Sequence, residues 1–258
     1  MSYPGLELNG KTAVVIGGSS GIGRAIALGL AQAGADVIPS ARRAPEVAAA
    51  AAEIERLGRR SLPLTCDVTS EASLRQLLQQ VLRAFGKVDI LVNSAGIAKR
   101  SPSLDVSDED WDRILATNLK GVFQACQVFG RHMVERRSGR IISIASLSSF
   151  LGLFEVAAYA ASKGGVLSLT RTLAVEWAHA GVCVNAIMPG VFRTALNQKL
   201  LDGTPRGQEF LLRTPMKRFG QLEELVGAAV FLASDSAAFV TGVTIPVDGG
   251  FLASGVNQ

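Results

Sequence analysis

The chain is 258 residues long, 48% apolar and 19% charged, too apolar for a disordered chain and ordinary for a packed core. Its 26 basic and 22 acidic residues leave a net charge of +4, and the basic ones come in short pairs (Arg42 with Arg43, Arg59 with Arg60, Arg136 with Arg137), so no nucleic-acid partner is expected. The longest uncharged stretch, 177–192, has 16 residues and holds His179, Asn185, Pro189 and Gly190, too short and too polar to cross a membrane.

In chain order, short β-branched runs alternate with longer helical stretches. TAVVIG at 12–17 reads as a strand and 22–33 as its helix; ADVIPS at 35–40 and a helix at 45–57 follow. SLPLTC at 61–66 precedes a helix at 70–85, VDILVN at 88–93 a long helix at 108–137, and GRIISIA at 139–145 a helix at 156–179. VCVNAIM at 182–188, a helix at 222–233 and VTIPV at 243–247 complete the series. Strands that are apolar throughout are buried on both faces, and helical crossovers imply parallel pairing. The expected architecture is a single doubly wound α/β domain over 1–258, a three-layer sandwich with about seven parallel strands. Right-handed crossovers place all strand C-termini on one edge, where ligands bind. The segment at about 190–220 mixes Pro, Gly, Thr and short apolar groups, and is expected to form a small helical lid over a substrate.

The N-terminal MSYPGLELNGK has no cationic start followed by an apolar run, so no signal peptide is expected. Cys66, Cys126 and Cys183 are odd in number and far apart among apolar neighbours, which suits buried reduced thiols in a cytoplasmic protein. His132 and His179 are too few for a His-rich metal site, and no catalytic metal is expected.

The first strand runs into Gly17-Gly18-Ser19-Ser20-Gly21-Ile22-Gly23 and then a helix. Glycines at such a turn let backbone N–H groups approach a pyrophosphate, whose charge the helix N-terminus favours. An acid ending the second strand would accept the ribose 2′-OH of NAD. That strand instead ends Pro39-Ser40-Ala41-Arg42-Arg43, and Asp36 lies at its wrong end. Arg42 offers a fork of donors to a 2′-phosphate, which favours NADP over NAD. The third strand ends Cys66-Asp67-Val68, with a carboxylate placed to accept from an adenine amino group. The fourth ends Asn93-Ser94-Ala95-Gly96, small residues where backbone passes close to a ligand. Together these strand ends outline a dinucleotide trough.

Tyr159 and Lys163 lie i, i+4 near the start of the 156–179 helix, on one face. A free phenol titrates near ~10, and lowering it by ~3 units needs roughly 4 kcal/mol, which a close ammonium and an oxidised nicotinamide together can supply. Ser146, ending the fifth strand, is placed to face the phenol and hold a substrate oxygen. Asn118 interrupts the 108–137 helix with a poor helix former, which asks for a reason.

On these residues the chain resembles the short-chain dehydrogenase/reductase family over nearly its whole length. The matching motifs are Gly17-x-x-x-Gly21-x-Gly23, Asp67, Asn93-Ser94-Ala95-Gly96, Asn118, Ser146, Tyr159-x-x-x-Lys163 and Pro189-Gly190-x-x-x-Thr194. The resemblance implies a Rossmann-type fold and hydride exchange between nicotinamide and a secondary alcohol or ketone. It implies Tyr159 as general acid/base, with Lys163 lowering its pKa and bonding the nicotinamide ribose. Ser146 then positions the substrate oxygen, and Asn118 holds a relay water. Pro189, Gly190 and Thr194 dock the carboxamide and Asp67 the adenine, while Gly17, Ser19, Ser20, Gly21, Ile22, Gly23, Arg42, Val68, Asn93, Ala95 and Gly96 complete the cofactor site. Two positions depart from the family: Ile16 stands where a Thr is usual, and Ser94 where a second Asn is frequent.

For substrate, the loops after Gly96, at 147–158 and at 190–220 carry Leu147, Phe150, Leu153, Phe154, Phe192 and Leu196, with Lys99, Arg100, Glu155 and Arg193. Lys99 and Arg100 suit a carboxylate, with Ser146, Phe154 and Phe192 beside them. Gly96-Ile97-Ala98-Lys99-Arg100, His132-Met133-Val134-Glu135-Arg136 and Arg213-Thr214-Pro215 resemble the gluconate 5-dehydrogenase and 2-deoxygluconate 3-dehydrogenase branch. A sugar acid or polyol is therefore favoured, with 3-oxoacyl-carrier-protein reduction as the alternative. Surplus apolar residues on the two long helices (Leu167, Leu169, Leu173, Trp177) and the tail at Phe251 and Leu252 fit the homotetramer that the resemblance implies. A non-catalytic dinucleotide sensor or an S-adenosylmethionine methyltransferase has no use for Tyr159 beside Lys163.

Overall fold

A computed structural model gives the structure of residues 4–194 and 197–255. Leu196 and part of the expected 190–220 lid lie outside the described residues. In chain order the elements are β1 (Thr12–Ile16), α1 (Gly21–Gln32), β2 (Asp36–Ser40), α2 (Ala44–Arg56), α3 (Glu71–Phe85), β3 (Ile90–Asn93), α4 (Asp108–Leu115), α5 (Gly121–Glu135), β4 (Gly139–Ile144), α6 (Ala157–Trp177), β5 (Val182–Pro189), α7 (Gln198–Leu201), α8 (Pro205–Arg213), α9 (Val226–Ala233) and β6 (Thr244–Val247). The strands form one parallel sheet in the order β2-β1-β3-β4-β5-β6. This is the doubly wound α/β arrangement. The strand order reverses between β1 and β3, which opens a crevice at their C-terminal ends.

Successive residues of each inner strand serve opposite faces. Val14, Leu91, Ile141 and Val184 pack one apolar layer together with residues of α3, α5 and α6. Ala13, Val15, Val92, Ile142 and Ile187 pack the other together with residues of α1 and α9. All five residues of β1 and all eight of β5 are buried, which is why these strands read as unbroken apolar runs.

The described residues form six strands, against about seven expected. The missing one is 61–66, which touches β2's end only through an isolated parallel bridge between Ala41 and Thr65. Neither Pro39 nor Pro63 has an N–H to give a ladder. Backbone bonds survive at the two ends, from Val37 N to Arg60 O (3.1 Å) and from Cys66 N to Ala41 O (3.0 Å). Between them hydroxyls substitute: Ser61 donates to Val37 O (2.7 Å) and Ser40 to Leu64 O (2.6 Å).

The expected single helix over 108–137 is two helices joined by a π turn at Ala116–Lys120, which contains Asn118. Such single-turn widenings often sit at functional sites. The apolar residues expected to be surplus are mostly spent inside the subunit. Leu167 and Leu173 are buried, and Leu169 and Trp177 pack partly buried against the core. Phe251 is also buried and meets Phe210 with ring centroids 6.1 Å apart. The large apolar groups left exposed on these helices are Trp111, Phe123 and Val175. Among the described residues no helix is long and apolar enough to cross a membrane.

Candidate active site

A cleft of about 630 Å³ opens at the C-terminal ends of β1 and β3. Its floor is the glycine turn. Gly17 has φ +85°, and a Cβ there would lie 2.5 Å from Ala95 N. A Cβ on Gly23 would lie 2.2 Å from Gly17 O. Only glycine allows the turn, the β3 end and the first turn of α1 to close on one another. Hydrogen bonds from Gly17 N to Ser40 O (2.7 Å) and from Ser94 N to Ile16 O (2.8 Å) tie the turn to both neighbouring strands. No side chain caps α1 at Ser20. Its first-turn N–H groups are therefore left for a ligand, and Ser19, Ser20, Gly21 and Ile22 line the cleft. Across it, a Cβ on Gly21 would meet Thr194 Cγ2 at 3.7 Å. Ile16, where the family has Thr, is 1% exposed and works as core.

Arg42, Asp67 and Val68 line one end of the cleft. Arg43 is spent on Glu46 at 2.9 Å, whereas among the described residues no carboxylate lies within ion-pair distance of Arg42. Asp67 Oδ1 accepts from Thr69 N (3.0 Å) and Thr69 Oγ1 (2.7 Å). These bonds, more than the weaker pull of Arg42, hold its carboxyl below the usual range. Asn93 does not line the cleft. It is buried, with its amide donating to Ser143 Oγ at 3.3 Å and to Cys126 Sγ at 3.4 Å. Its effect on a ligand runs through the end of β3.

Ala95, Gly96, Ser146, Tyr159, Lys163, Pro189, Gly190 and Thr194 line the other end. Lys163 is buried, its Nζ donates to Ile144 O at 2.7 Å, and it stands 5.8 Å from the centre of the Tyr159 ring. Burial pulls the ammonium down to about 8. Burial also pushes the Tyr159 phenol above its ordinary value, against a smaller lowering by the Ser146 hydrogen bond. The expected lowering of the phenol by Lys163 is thus not a property of the chain alone. Desolvation sets the direction, and the ammonium is committed to the Ile144 carbonyl and is itself destabilised. Ser146 Oγ accepts from Ser148 N (3.2 Å) and Ser148 Oγ (3.0 Å), which leaves its own proton for the phenol oxygen.

Asn118 is fully buried and stands behind the cleft wall. Its Oδ1 accepts from Ile97 N (2.9 Å), and its Nδ2 donates to Ile97 O (2.8 Å) and Ser162 Oγ (3.2 Å). Both amide hydrogens are used, so the side chain is a clamp between the β3 end, the π turn and α6.

Lys99 and Arg100 do not line the cleft. Lys99 is paired with Asp110 and Arg100 with Glu155. The free positive charge expected of them is neutralised. Phe154 is largely exposed, also off the cleft wall, and Phe192 is core that touches the cleft at its edge. Asn197 lines the cleft and was not among the expected residues. Its Oδ1 accepts from Thr194 N at 2.8 Å, and its amide donates to Phe192 O at 2.8 Å. The Thr-x-x-Asn spacing was the available signal for that local lock.

The family model described as enoyl-(acyl carrier protein) reductase matches residues 16–252. A 2-dehydro-3-deoxy-D-gluconate 5-dehydrogenase of Escherichia coli is 42% identical over 254 residues, covering 98% of this chain and all of the relative. A D-threitol dehydrogenase of Mycolicibacterium smegmatis is 42% identical over 247 residues, 95% of this chain and 94% of the relative. A crystal structure of a gluconate 5-dehydrogenase from Burkholderia cenocepacia, in complex with NADP and tartrate, superposes with a TM-score of 0.94 at 38% identity, covering 97% of this chain and 98% of that one.

Proposed function

The chain belongs to the short-chain dehydrogenase/reductase family, and we propose that it oxidises or forms a secondary alcohol on a sugar acid or polyol, with NADP preferred over NAD. It is an NAD(P)-dependent oxidoreductase acting on CH–OH groups. The observation that carries the reading is the half-buried Tyr159, its phenol hydrogen-bonded to Ser146 beside buried Lys163, at one end of the glycine-floored cleft.

The cleft fits a dinucleotide: a Cβ at Gly17 or Gly23 would fill the cradle, and the uncapped α1 terminus supplies donors for a pyrophosphate. A bound nicotinamide supplies the hydride exchange with the substrate carbon. In reduction, the Tyr159 hydroxyl gives its proton to the substrate oxygen, which the Ser146 hydroxyl holds. In oxidation the same oxygen loses its proton to Tyr159. Desolvation raises the phenol and makes its protonated form the resting one. Lys163 holds a positive charge under the ring and bonds the ribose. Asn118 positions Ile97 at the wall. Gly17, Ser19, Ser20, Gly21, Ile22 and Gly23 hold the pyrophosphate, Asp67 and Val68 the adenine, and Pro189, Gly190 and Thr194 the carboxamide. The absence of an acid at the end of β2, with Arg42 unpaired there, supports reading a 2′-phosphate.

The segment at about 190–220, with α7 and α8, acts as the lid. The assembly is a cytoplasmic homotetramer. Exposed Trp111, Phe123 and Val175 support the subunit contacts, and three free buried thiols support the compartment. Light scattering at several protein concentrations tests the assembly.

The experiment is a panel of gluconate, threitol and a 3-oxoacyl thioester, each with NADP(H) and NAD(H). Turnover of gluconate or threitol supports the reading. Turnover of the thioester alone moves the substrate to acyl carriers and keeps the acid/base assignment.

A further inference from the structure

Thr194 lines the cleft together with Pro189 and Gly190, and Asn197 lines it beside Thr194. Both hydrogens that Thr194 can donate go to one atom. Its N–H donates to Asn197 Oδ1 at 2.8 Å, and its hydroxyl donates to the same oxygen at 3.2 Å. Its carbonyl accepts from Asn197 N at 3.2 Å and from Gln198 N at 2.9 Å. Its methyl lies toward the start of α1, where a Cβ on Gly21 would meet it at 3.7 Å. With both hydrogens spent and the carbonyl satisfied, Thr194 meets a ligand through the lone pairs of its hydroxyl.

The backbone fixes the direction of these bonds. The Asn197 amide donates through Nδ2 to Phe192 O at 2.8 Å. A carbonyl can only accept and an N–H can only donate. Phe192 O and Thr194 N therefore leave one orientation for the amide, with Nδ2 toward Phe192 and Oδ1 toward Thr194. The hydroxyl proton follows Oδ1. Asn197 is held in turn at the start of α7, its carbonyl accepting from Leu200 N (2.9 Å) and Leu201 N (3.2 Å). Arg193, paired with Asp202 directly after α7, fastens the same segment.

We propose that Asn197 is a positioning residue that sets the hydrogen-bonding sense of the Thr194 hydroxyl, so that Thr194 accepts from the carboxamide NH₂ of a nicotinamide and does not donate to its oxygen. The assignment rests on the dinucleotide reading above, in which Thr194 docks the carboxamide. A free hydroxyl turns either way and serves either end of a planar amide. With its proton held by Asn197 it serves one end, which selects between the two carboxamide orientations related by a half-turn. A ring that carries an acetyl group in place of the carboxamide offers an oxygen and a methyl but no N–H, and gains nothing from Thr194.

The test compares NADP with its acetylpyridine analogue, bound to the whole protein without substrate and followed by isothermal calorimetry. The wild type binds NADP about three- to tenfold more tightly than the analogue, the worth of one hydrogen bond. In Asn197→Ala the hydroxyl is free to donate to the acetyl oxygen, and the ratio of the two dissociation constants falls to within about twofold of unity. Asn197→Asp keeps the accepting oxygen and restores the wild-type ratio, even where the lost bond to Phe192 weakens both cofactors. A merely structural loosening of the loop weakens both alike and leaves the ratio in place. A melting curve reports that each variant is folded; if Asn197→Ala does not fold, Asn197→Leu, of similar shape and without an acceptor, takes its place with the same expected fall. A wild-type ratio near unity, or the wild-type ratio kept in a folded alanine or leucine variant, overturns the assignment and leaves the dinucleotide reading standing. A wild type that binds neither NADP nor the analogue overturns both.

Discussion

Replacing Lys163 by methionine tests the electrostatics of the site without relying on catalysis. Lys163 is 5% exposed, and its ammonium donates to the Ile144 carbonyl. Its fall from 10.5 to about 8 corresponds to about 3 kcal/mol of disfavoured charge. The unfolded chain holds this proton up to 10.5, whereas the folded chain releases it near 8. Between those values the unfolded state carries more protons, so stability rises with pH through the window, and the full penalty is present below about 8. Methionine removes the penalty and orphans the carbonyl, which costs about 1–2 kcal/mol. The variant is therefore more stable than wild type at neutral pH by about 1–2 kcal/mol, or about 3–6 °C in Tm. The advantage shrinks above pH 8 and reverses near 10.5, where the wild-type lysine is neutral and still bonded to Ile144. Calorimetric scans at a series of pH values read this directly, and turnover is lost throughout. A variant less stable than wild type at neutral pH would refute the reasoning.

Tyr159→Phe removes the transferable proton and lowers kcat by about 10²–10⁴-fold, while NADPH binding by fluorescence titration stays near wild type. With the wild type, kcat/KM for alcohol oxidation rises with pH, because burial raises the phenol that must first lose its proton; a flat profile measured with saturating NADP contradicts that role. Arg42→Ala weakens NADPH binding about tenfold or more and leaves NADH affinity in place, as isothermal calorimetry with both cofactors shows. Gly17→Ala puts a Cβ 2.5 Å from Ala95 N at φ +85°, so it costs at least about 1–2 kcal/mol of stability and weakens both dinucleotides. A melting curve and a titration check it.

The glycine turn, the strand ends and the Tyr159–Lys163 pair were legible in sequence because each depends on local spacing and on continuous apolar runs. The loss of the 61–66 strand was not, because hydrophobic pattern says nothing of ladder donors, and Pro39 and Pro63 remove two of them on facing segments. The break in the 108–137 helix was signalled only by Asn118, whose partners Ile97 and Ser162 lie 21 residues before it and 44 after it in the chain. Lys99 and Arg100 read as free charges because their acids, Asp110 and Glu155, come from other elements. Charge pairing at long range has no period, and it decides which cation around the pocket is available. The direction of the phenol's shift in the chain alone was hidden for a similar reason: the desolvation of Tyr159 and Lys163 is a property of the assembled sheet edge.

The most direct test of the central claim is a fluorescence titration of the purified protein with NADPH and with NADH. The glycine turn, the unpaired Arg42 and the uncapped α1 terminus predict saturable binding of both, with NADPH the tighter. Failure of both cofactors to bind would contradict the reading of the cleft as a dinucleotide site.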